Sequence, residues 1–325
     1  MHKHLGILLT YNLDWSPQVH TVIMKANRKL AVLRRIFYLQ RKTLEMLYKV
    51  TVRSVIDFAL PVYYHSLKMS DKNKLEQVQY KGAKLATGAL HGSSMIKLNS
   101  ELGLESIATR ADFLSLNVFH KILVGHTRPL IKMCMPTLAH NHDHNIRQRN
   151  IFTSSHTASV KFKNSFFPTI SKKYQSLPKS CRTKVDIDLF KEELREHLVP
   201  KRYKFLARGS KLGCKLLTQI RVGRSYLNSH SYSVGKSLSP QCSCHFPTES
   251  TSHYILDCFL NNEERRSLLS TYEQFIPKFP SFSKKKQLQT ILYGYDIDNT
   301  DIFSTNVSLQ IATQKYILST KRFDT

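Results

Sequence analysis

The chain has 325 residues, which is enough for roughly two or three domains with buried cores and too long for a metal-dependent peptide. It carries 49 Lys and Arg residues against 23 Asp and Glu residues, and its net charge of +26 favours a polyanionic partner over a small neutral ligand. Nucleic acid is the first candidate and an anionic membrane the second, but no apolar run approaches the roughly 20 residues of a membrane-spanning helix. The first ten residues also lack an apolar stretch framed like a signal peptide, so we expect a protein that is neither secreted nor membrane-bound.

The first 130 residues predict a short strand followed by a helical domain. Residues 4–9 form an apolar run that is typical of a strand. Ser16 can cap the next helix, and Pro17 suits the first helical position, where no amide hydrogen is missed. Pro61 is expected to stop the second helix. Three helices are predicted to follow the first, over residues 43–57, 71–88 and 104–123.

The first helix is also predicted to have a basic exposed side, because its apolar residues recur at helical spacing and its cations occupy other faces. These cations are Lys25, Arg28, Lys29, Arg34 and Arg35. We expect them to contact nucleic-acid phosphates.

The middle of the chain, residues 131–200, is expected to be irregular and basic apart from a helix over residues 187–198. A longer helix is predicted over residues 203–220, with apolar residues on one side and a basic stripe on another. The basic residues expected to contact nucleic acid here are Lys204, Arg208, Lys211, Lys215, Arg221 and Arg224. Two more helices are predicted over residues 262–275 and 306–318.

Four soft ligands lie within residues 242–258, namely Cys242, Cys244, His253 and Cys258. Zinc binds thiolate and imidazole ligands, and a structural site takes all four ligands from the protein, so this set predicts structural zinc. Only Ser243 separates the first two cysteines, whereas two to four residues are the commoner spacing, so the first loop must be tight. Disulfide pairing is the alternative, although nothing in the sequence supports an oxidising compartment.

Two other clusters could hold a metal but are better explained as polar loops. His140, His142 and His144 alternate in a loop-like segment with no cysteine or carboxylate at fixed spacing, and they are also the only basis for a nuclease hypothesis. Asp296, Asp298 and Asp301 lack the glycine and terminal glutamate of a calcium loop, so a solvated acidic turn is favoured.

Several segments, taken in order, carry a family resemblance. They are residues 4–9 with Leu13-Asp14-Trp15, residues 52–63, residues 75–83, residues 165–191, and Arg221-Val222-Gly223-Arg224 with Leu227-Asn228-Ser229-His230 before the cysteine-histidine cluster. Together they resemble the C-terminal part of a non-LTR (LINE-type) retrotransposon reverse transcriptase, an RNA-directed DNA polymerase family. The resemblance covers nearly the whole chain.

The resemblance implies a mainly α fold with four parts. Residues 1–18 would follow the polymerase palm, residues 19–130 would form a helical thumb-like domain with a short N-terminal strand before it, and residues 131–200 would form a basic connecting segment. Residues 201–325 would form a C-terminal helical region that carries a small zinc knuckle at 242–258. In that knuckle, His245 stands where a glycine is usual, and Phe259 stands where a proline often follows the last cysteine.

The polymerases of this family need two adjacent aspartates to hold the catalytic metal ions, and this sequence contains no adjacent Asp pair. We therefore expect no polymerase activity from this chain alone. The expected role is non-catalytic binding of RNA and/or DNA in a nuclear or cytoplasmic ribonucleoprotein, with the missing catalytic part of the polypeptide as a further partner. The alternatives are that the chain is one part of a larger active reverse transcriptase and endonuclease polyprotein, or a degenerate transposon copy without function.

Overall fold

A computed structural model of the protein describes residues 1–126, 131, 159–199, 201 and 203–324. The fold is mostly helical with a short antiparallel sheet at the N-terminus, which confirms the prediction of a mainly α protein. His140, His142 and His144 lie outside the described residues. No helix within the described ranges is both long and apolar enough to cross a membrane.

The N-terminal apolar run is a hairpin and not the single predicted strand. Strand β1 (His2–His4) pairs antiparallel with β2 (Ile7–Leu9), and Leu5 and Gly6 form the turn with φ values of +44° and +85°. Two positive φ values in succession match the twist of a two-residue hairpin, and Gly6 adopts its value without steric cost. The prediction missed this turn because the run reads as continuously apolar around a single glycine.

The chain divides into two compact units, each built from three separate segments. Unit 1 comprises Met1–Ala31, Lys49–Gln79 and Leu104–Lys201, and unit 2 comprises Val32–Tyr48, Tyr80–Gly103 and Arg202–Thr325. Helices α1 (Ser16–Arg35) and α5 (Met69–Thr87) supply residues to both units. The four parts drawn from the sequence remain predictions, since these units are defined by packing and each draws on more than one part.

The helix predicted over residues 43–57 is interrupted. Helix α2 (Arg41–Leu47) continues through a π-helical stretch, Tyr48–Arg53, into α3 (Ser54–Asp57). Pro61 does not stop this helix, because the chain already turns at Ala59, whose φ is +54°, and Pro61 lies in the first turn of α4 (Leu60–Tyr63). A proline is tolerated at that place because the first amides of a helix have no intrahelical acceptor.

Unit 1 is built around helix α7 (Ile107–Leu123). The helices that follow it in this unit are α8 (Val160–Lys163), α9 (Phe166–Gln175), α10 (Lys179–Arg182) and α11 (Ile187–Leu198). Residues 159–182 were expected to be irregular, and that expectation is wrong. Ile170 and Tyr174 are one helical turn apart and pack with Phe119 and Phe190 in one buried cluster, so the aromatics of this segment belong mainly to a helical core.

Unit 2 contains α6 (Met95–Leu102), α12 (Lys211–Arg221), α13 (Asn228–Tyr232), α14 (Asn262–Phe275), α15 (Lys284–Tyr293) and α16 (Phe303–Ser319). Its core joins α12, α14 and α16 through residues such as Leu217, Tyr272, Leu309 and Ile317. The predicted helix over 262–275 matches α14, and the one over 306–318 is three residues longer at its start. Helices α6, α13 and α15 were not predicted.

The helix predicted over residues 203–220 is broken. A 3-10 turn, Lys204–Ala207, is separated from α12 by Gly209, whose φ is +108°. The side chain of Gln314 fills the space beside Gly209 and donates to the carbonyl of Arg208 at 2.6 Å. Lys204 and Arg208 therefore do not share a helical stripe with Lys211 and Lys215.

A buried charged cluster, formed by Arg41, Glu45, Glu101 and Arg221, lies inside unit 2. Glu101 accepts from Arg221 through both carboxylate oxygens, at 2.5 and 2.9 Å, and lies 3.3 Å from Nη1 of Arg41. Burial raises the pKa of Glu101, but the two guanidinium groups lower it more, so the carboxylate stays ionised. Two positive and two negative side chains thus balance inside the core.

Candidate metal centre and basic surfaces

Cys242, Cys244, His253 and Cys258 come together in unit 2 as a buried group that can bind a metal ion. Their ligand atoms all lie within 4.8 Å of one another. The Sγ atoms of Cys242 and Cys258 are 3.8 Å apart, and Nε2 of His253 lies 3.1 Å from Sγ of Cys244. The cysteines within the described ranges are all free, and 3.8 Å greatly exceeds the about 2.05 Å of a disulfide, so the pairing alternative gains no support.

The tight first loop closes through a left-handed residue. The amide of His245 donates to the carbonyl of Cys242 at 2.9 Å, and the amide of Cys242 donates to the carbonyl of Phe246 at 3.0 Å. His245 has a φ of +67°, a backbone conformation that residues other than glycine adopt only with strain. This geometry explains how the thiols of Cys242 and Cys244 both reach the cluster although only Ser243 separates them.

The other two ligands lie at the ends of a π-helical turn, His253–Asp257. The amide of Cys258 donates to the carbonyl of His253 at 2.7 Å, which closes the turn, and Arg265 holds the carbonyl of Cys258 at 2.8 Å. The ring of Phe246 stacks flat on His253, with centroids 4.3 Å apart and an angle of 6°. Nδ1 of His253 is buried and has no hydrogen-bond partner among the described residues, so Nε2 is the atom that faces the thiols.

The segment that carries the four ligands, residues 242–258, is anchored by a buried carboxylate that the sequence analysis did not single out. Glu249 is 2 % exposed and binds Arg322 through both oxygens at 2.6 Å. The same carboxylate accepts from the amide of Asn228 at 2.6 Å, and the hydroxyl of Ser229 donates to the carbonyl of Glu249. Because Arg322 is 73 residues from Glu249, no local spacing could have revealed this pair.

The electrostatics of the cluster suit a cation. Burial lowers the pKa of His253, which keeps the imidazole in the neutral, ligating form at pH 7. Burial raises the pKa of Cys242 to about 12 and also raises that of Cys258, so both thiols hold their protons unless a positive charge is nearby. A metal ion held by Cys242, Cys244, His253 and Cys258 would supply that charge and favour the thiolate forms.

The basic residues expected to contact nucleic acid are mostly on the surface. Lys25, Arg28, Lys29, Arg34 and Arg35 are all exposed along α1. In unit 2, Lys204, Arg208 and Lys215 are exposed, and Lys211 and Arg224 are half-buried. Nζ of Lys211 donates to the carbonyl of Phe37 and lies 5.0 Å from the centre of its ring.

Arg221 was predicted to contact nucleic acid, and this prediction is wrong. Its side chain is 1 % exposed, and its guanidinium is bonded to Glu101, Gln310 and the carbonyl of Leu292. It therefore holds the core of unit 2 together and is not available to a phosphate. The sequence could not show this, because Glu101 is 120 residues away along the chain.

Comparisons of the chain with protein-family models, with curated proteins and with solved structures found no match.

Proposed function

We propose that Cys242, Cys244, His253 and Cys258 bind a structural zinc ion. Four protein ligands leave no position open for a substrate, which favours a structural over a catalytic role. Tetrahedral zinc with sulfur ligands at about 2.3 Å places two sulfurs about 3.8 Å apart. The observed separation of Cys242 and Cys258 is 3.8 Å, so this pair needs no movement to bind zinc. The 3.1 Å between Cys244 and His253 is shorter than zinc geometry requires, and these two ligands must separate slightly.

Zinc content measured on the purified chain by native mass spectrometry tests this assignment. We expect one zinc ion per chain in the wild type and loss of that ion in Cys258→Ser. Cys181→Ser is the matched control, because Cys181 is a buried free thiol with no part in the cluster. A wild-type chain without zinc, or an equal loss in the control, contradicts the proposal.

We further propose that the chain is a non-catalytic nucleic-acid-binding part of a retrotransposon reverse transcriptase. The observation that carries this proposal is the set of five exposed basic residues on α1, in a chain with a net charge of +26. Exposed cations can neutralise phosphates, and the order of the family-like segments agrees with a thumb-like region followed by a zinc knuckle. RNA and DNA are both within the proposal, in a nuclear or cytoplasmic ribonucleoprotein. The sequence offers no adjacent Asp pair, so polymerase chemistry is not assigned to this chain.

Fluorescence anisotropy with a labelled 20-nucleotide RNA, titrated at several salt concentrations, tests nucleic-acid binding. Each phosphate contact to a single strand contributes about −0.7 to the slope of log K against log salt, so binding should weaken steeply as salt rises. Lys25→Gln combined with Arg28→Gln should reduce the magnitude of this slope by about 1.4. Lys278→Gln with Lys285→Gln removes the same charge from exposed positions in another helix and the loop before it, and should leave the slope unchanged. An affinity that does not depend on salt would defeat the proposal.

A further inference from the structure

Two basic side chains of unit 2, Arg224 and Lys97, each lie against a glycine turn. Nε of Arg224 donates to the carbonyl of Gly92 at 3.2 Å, and Nζ of Lys97 lies 3.6 Å from where a Cβ on Gly223 would stand. Gly92 and Gly223 have φ values of +80° and +74°, so each turn depends on a residue that adopts the left-handed region freely. The turns therefore bring Lys97 next to Gly223, the residue that precedes Arg224, although the two cations are far apart in sequence.

His230 is close enough to both cations to interact with them electrostatically. Its Nδ1 is 2.8 Å from the hydroxyl of Ser225, and its ring is half-buried. Burial lowers the pKa of His230, Arg224 and Lys97 lower it further, and Glu249 raises it. The carboxylate of Glu249 is already bonded to Arg322, so it does not neutralise the two cations.

Neither Lys97 nor Arg224 forms an ion pair with any side chain in the described part of the chain. Lys97 is exposed and Arg224 is half-buried, so an anion can reach both from solvent. Two nearby cations without a carboxylate partner repel each other, and an anion placed between them relieves this repulsion. A phosphodiester suits the position because its two non-bridging oxygens, which share one negative charge, can accept from both a guanidinium and an ammonium group.

We propose that Lys97, Arg224 and His230 bind one phosphodiester group of single-stranded nucleic acid. The inference rests on the proposed nucleic-acid binding and extends it to two residues, Lys97 and His230, that were not in the predicted contact set. The negative phosphate also offsets the repulsion that keeps His230 neutral, so binding should be coupled to proton uptake by this ring.

Anisotropy titrations with a labelled 20-nucleotide RNA at 0.1 M salt test the site. A contact that contributes 0.7 to the salt slope is worth about fivefold in affinity at 0.1 M relative to 1 M. Lys97→Gln should therefore weaken binding about fivefold, and Lys97→Gln with Arg224→Gln about 25-fold. The double variant Lys278→Gln with Lys285→Gln is the control for net charge. Circular dichroism and zinc content check that each variant is folded. If Arg224→Gln does not fold, Lys97→Gln alone decides whether the site is right, because Lys97 is exposed and its replacement should not disturb the fold.

A second arm varies pH between 7.5 and 5.5. Wild-type affinity should rise as pH falls, by up to about the fivefold of one extra phosphate contact, and His230→Gln should lose this part of the rise. His197→Gln, which changes an exposed histidine of α11, is the control and should keep it. If the wild type binds RNA but the cluster variants bind as tightly as their controls, the site is wrong and nucleic-acid binding stands. If the wild type does not bind RNA at low salt, both proposals are wrong.

Discussion

The buried charged cluster of unit 2 allows a sharp test of what holds this unit together. Glu101→Gln removes one of its two negative charges and keeps nearly the same shape. Arg221 and Arg41 are then left with Glu45 alone, so the cluster carries one uncompensated positive charge in the core. Removing one partner of a buried pair typically costs 3–5 kcal/mol, and we expect a loss of about that size in the free energy of unfolding.

Urea unfolding followed by circular dichroism measures this loss. Glu263→Gln is the matched control in the same unit, because Glu263 pairs with Arg266 on the surface, where both side chains are more than three-quarters exposed. Exposed pairs contribute only about 0–1 kcal/mol, so the control should unfold close to the wild type.

A compensating variant separates charge imbalance from lost packing. Glu101→Met with Arg221→Met removes one charge of each sign and leaves the pair Arg41–Glu45, whose Nε and Oε1 atoms are 2.8 Å apart. Replacing a buried ion pair by apolar side chains is often close to neutral, so the double variant should be more stable than Glu101→Gln. A Glu101→Gln variant that loses less than about 1 kcal/mol would refute the reasoning, since it would show that the charge is not needed.

Three further predictions concern single positions. Gly82→Ala should destabilise the protein by about 1–3 kcal/mol in urea unfolding, because a Cβ at this place overlaps the ring of Tyr48. His245→Gly should raise the unfolding free energy by roughly 1 kcal/mol in the same assay, because glycine adopts the φ of +67° without strain. Burial lowers the pKa of His65 from 6.5 to about 4, so below pH 6.5 the unfolded chain binds a proton that the folded chain does not. The free energy of unfolding should therefore fall by up to about 3 kcal/mol as pH drops from 6.5 towards 4. His65→Gln should reduce this loss.

Each of these predictions has a control of its own. Lys81→Ala changes an exposed neighbour of Gly82 in the same helix and should be nearly neutral. His245→Ala keeps the strained backbone, so it should not be stabilising, and an equal gain from alanine and glycine would rule out backbone strain as the cause. For His65, an unchanged pH dependence of stability in His65→Gln, matching that of the exposed-site variant His20→Gln, would contradict the assignment.

The sequence predicted the elements whose signals are local. Ser16 and Pro17 marked the start of α1, although the hydroxyl of Ser16 donates to Asp14 and Asp71 rather than capping the helix. The helix predicted over residues 187–198 matches α11, and the four candidate metal ligands lie within one short segment. Helices that depend on distant partners were missed. Helix α9 was not predicted because its apolar residues are spaced among lysines, and they are recognisable as core only once Phe119 and Phe190 are beside them.

The same distinction applies to the candidate sites. Arg221 and Arg224 are equally basic and only three positions apart, yet one is buried against Glu101 and the other is half-buried near the surface. Burial of a charge depends on whether a partner from elsewhere in the chain compensates it. A basic residue's role as core or surface therefore cannot be decided from its own segment.

The bond between Glu249 and Arg322 forms late in synthesis of the chain, after residues 242–258 have been made. All four ligands are translated by residue 258, so the loop can capture an ion while the rest of unit 2 is still being made. Its anchor arrives 73 residues after Glu249, once α14, α15 and α16 have been added. A chain that ends between residues 258 and 322 would keep the four ligands and lose the bond between Glu249 and Arg322. We expect such a chain to exchange a bound ion faster than the full chain does.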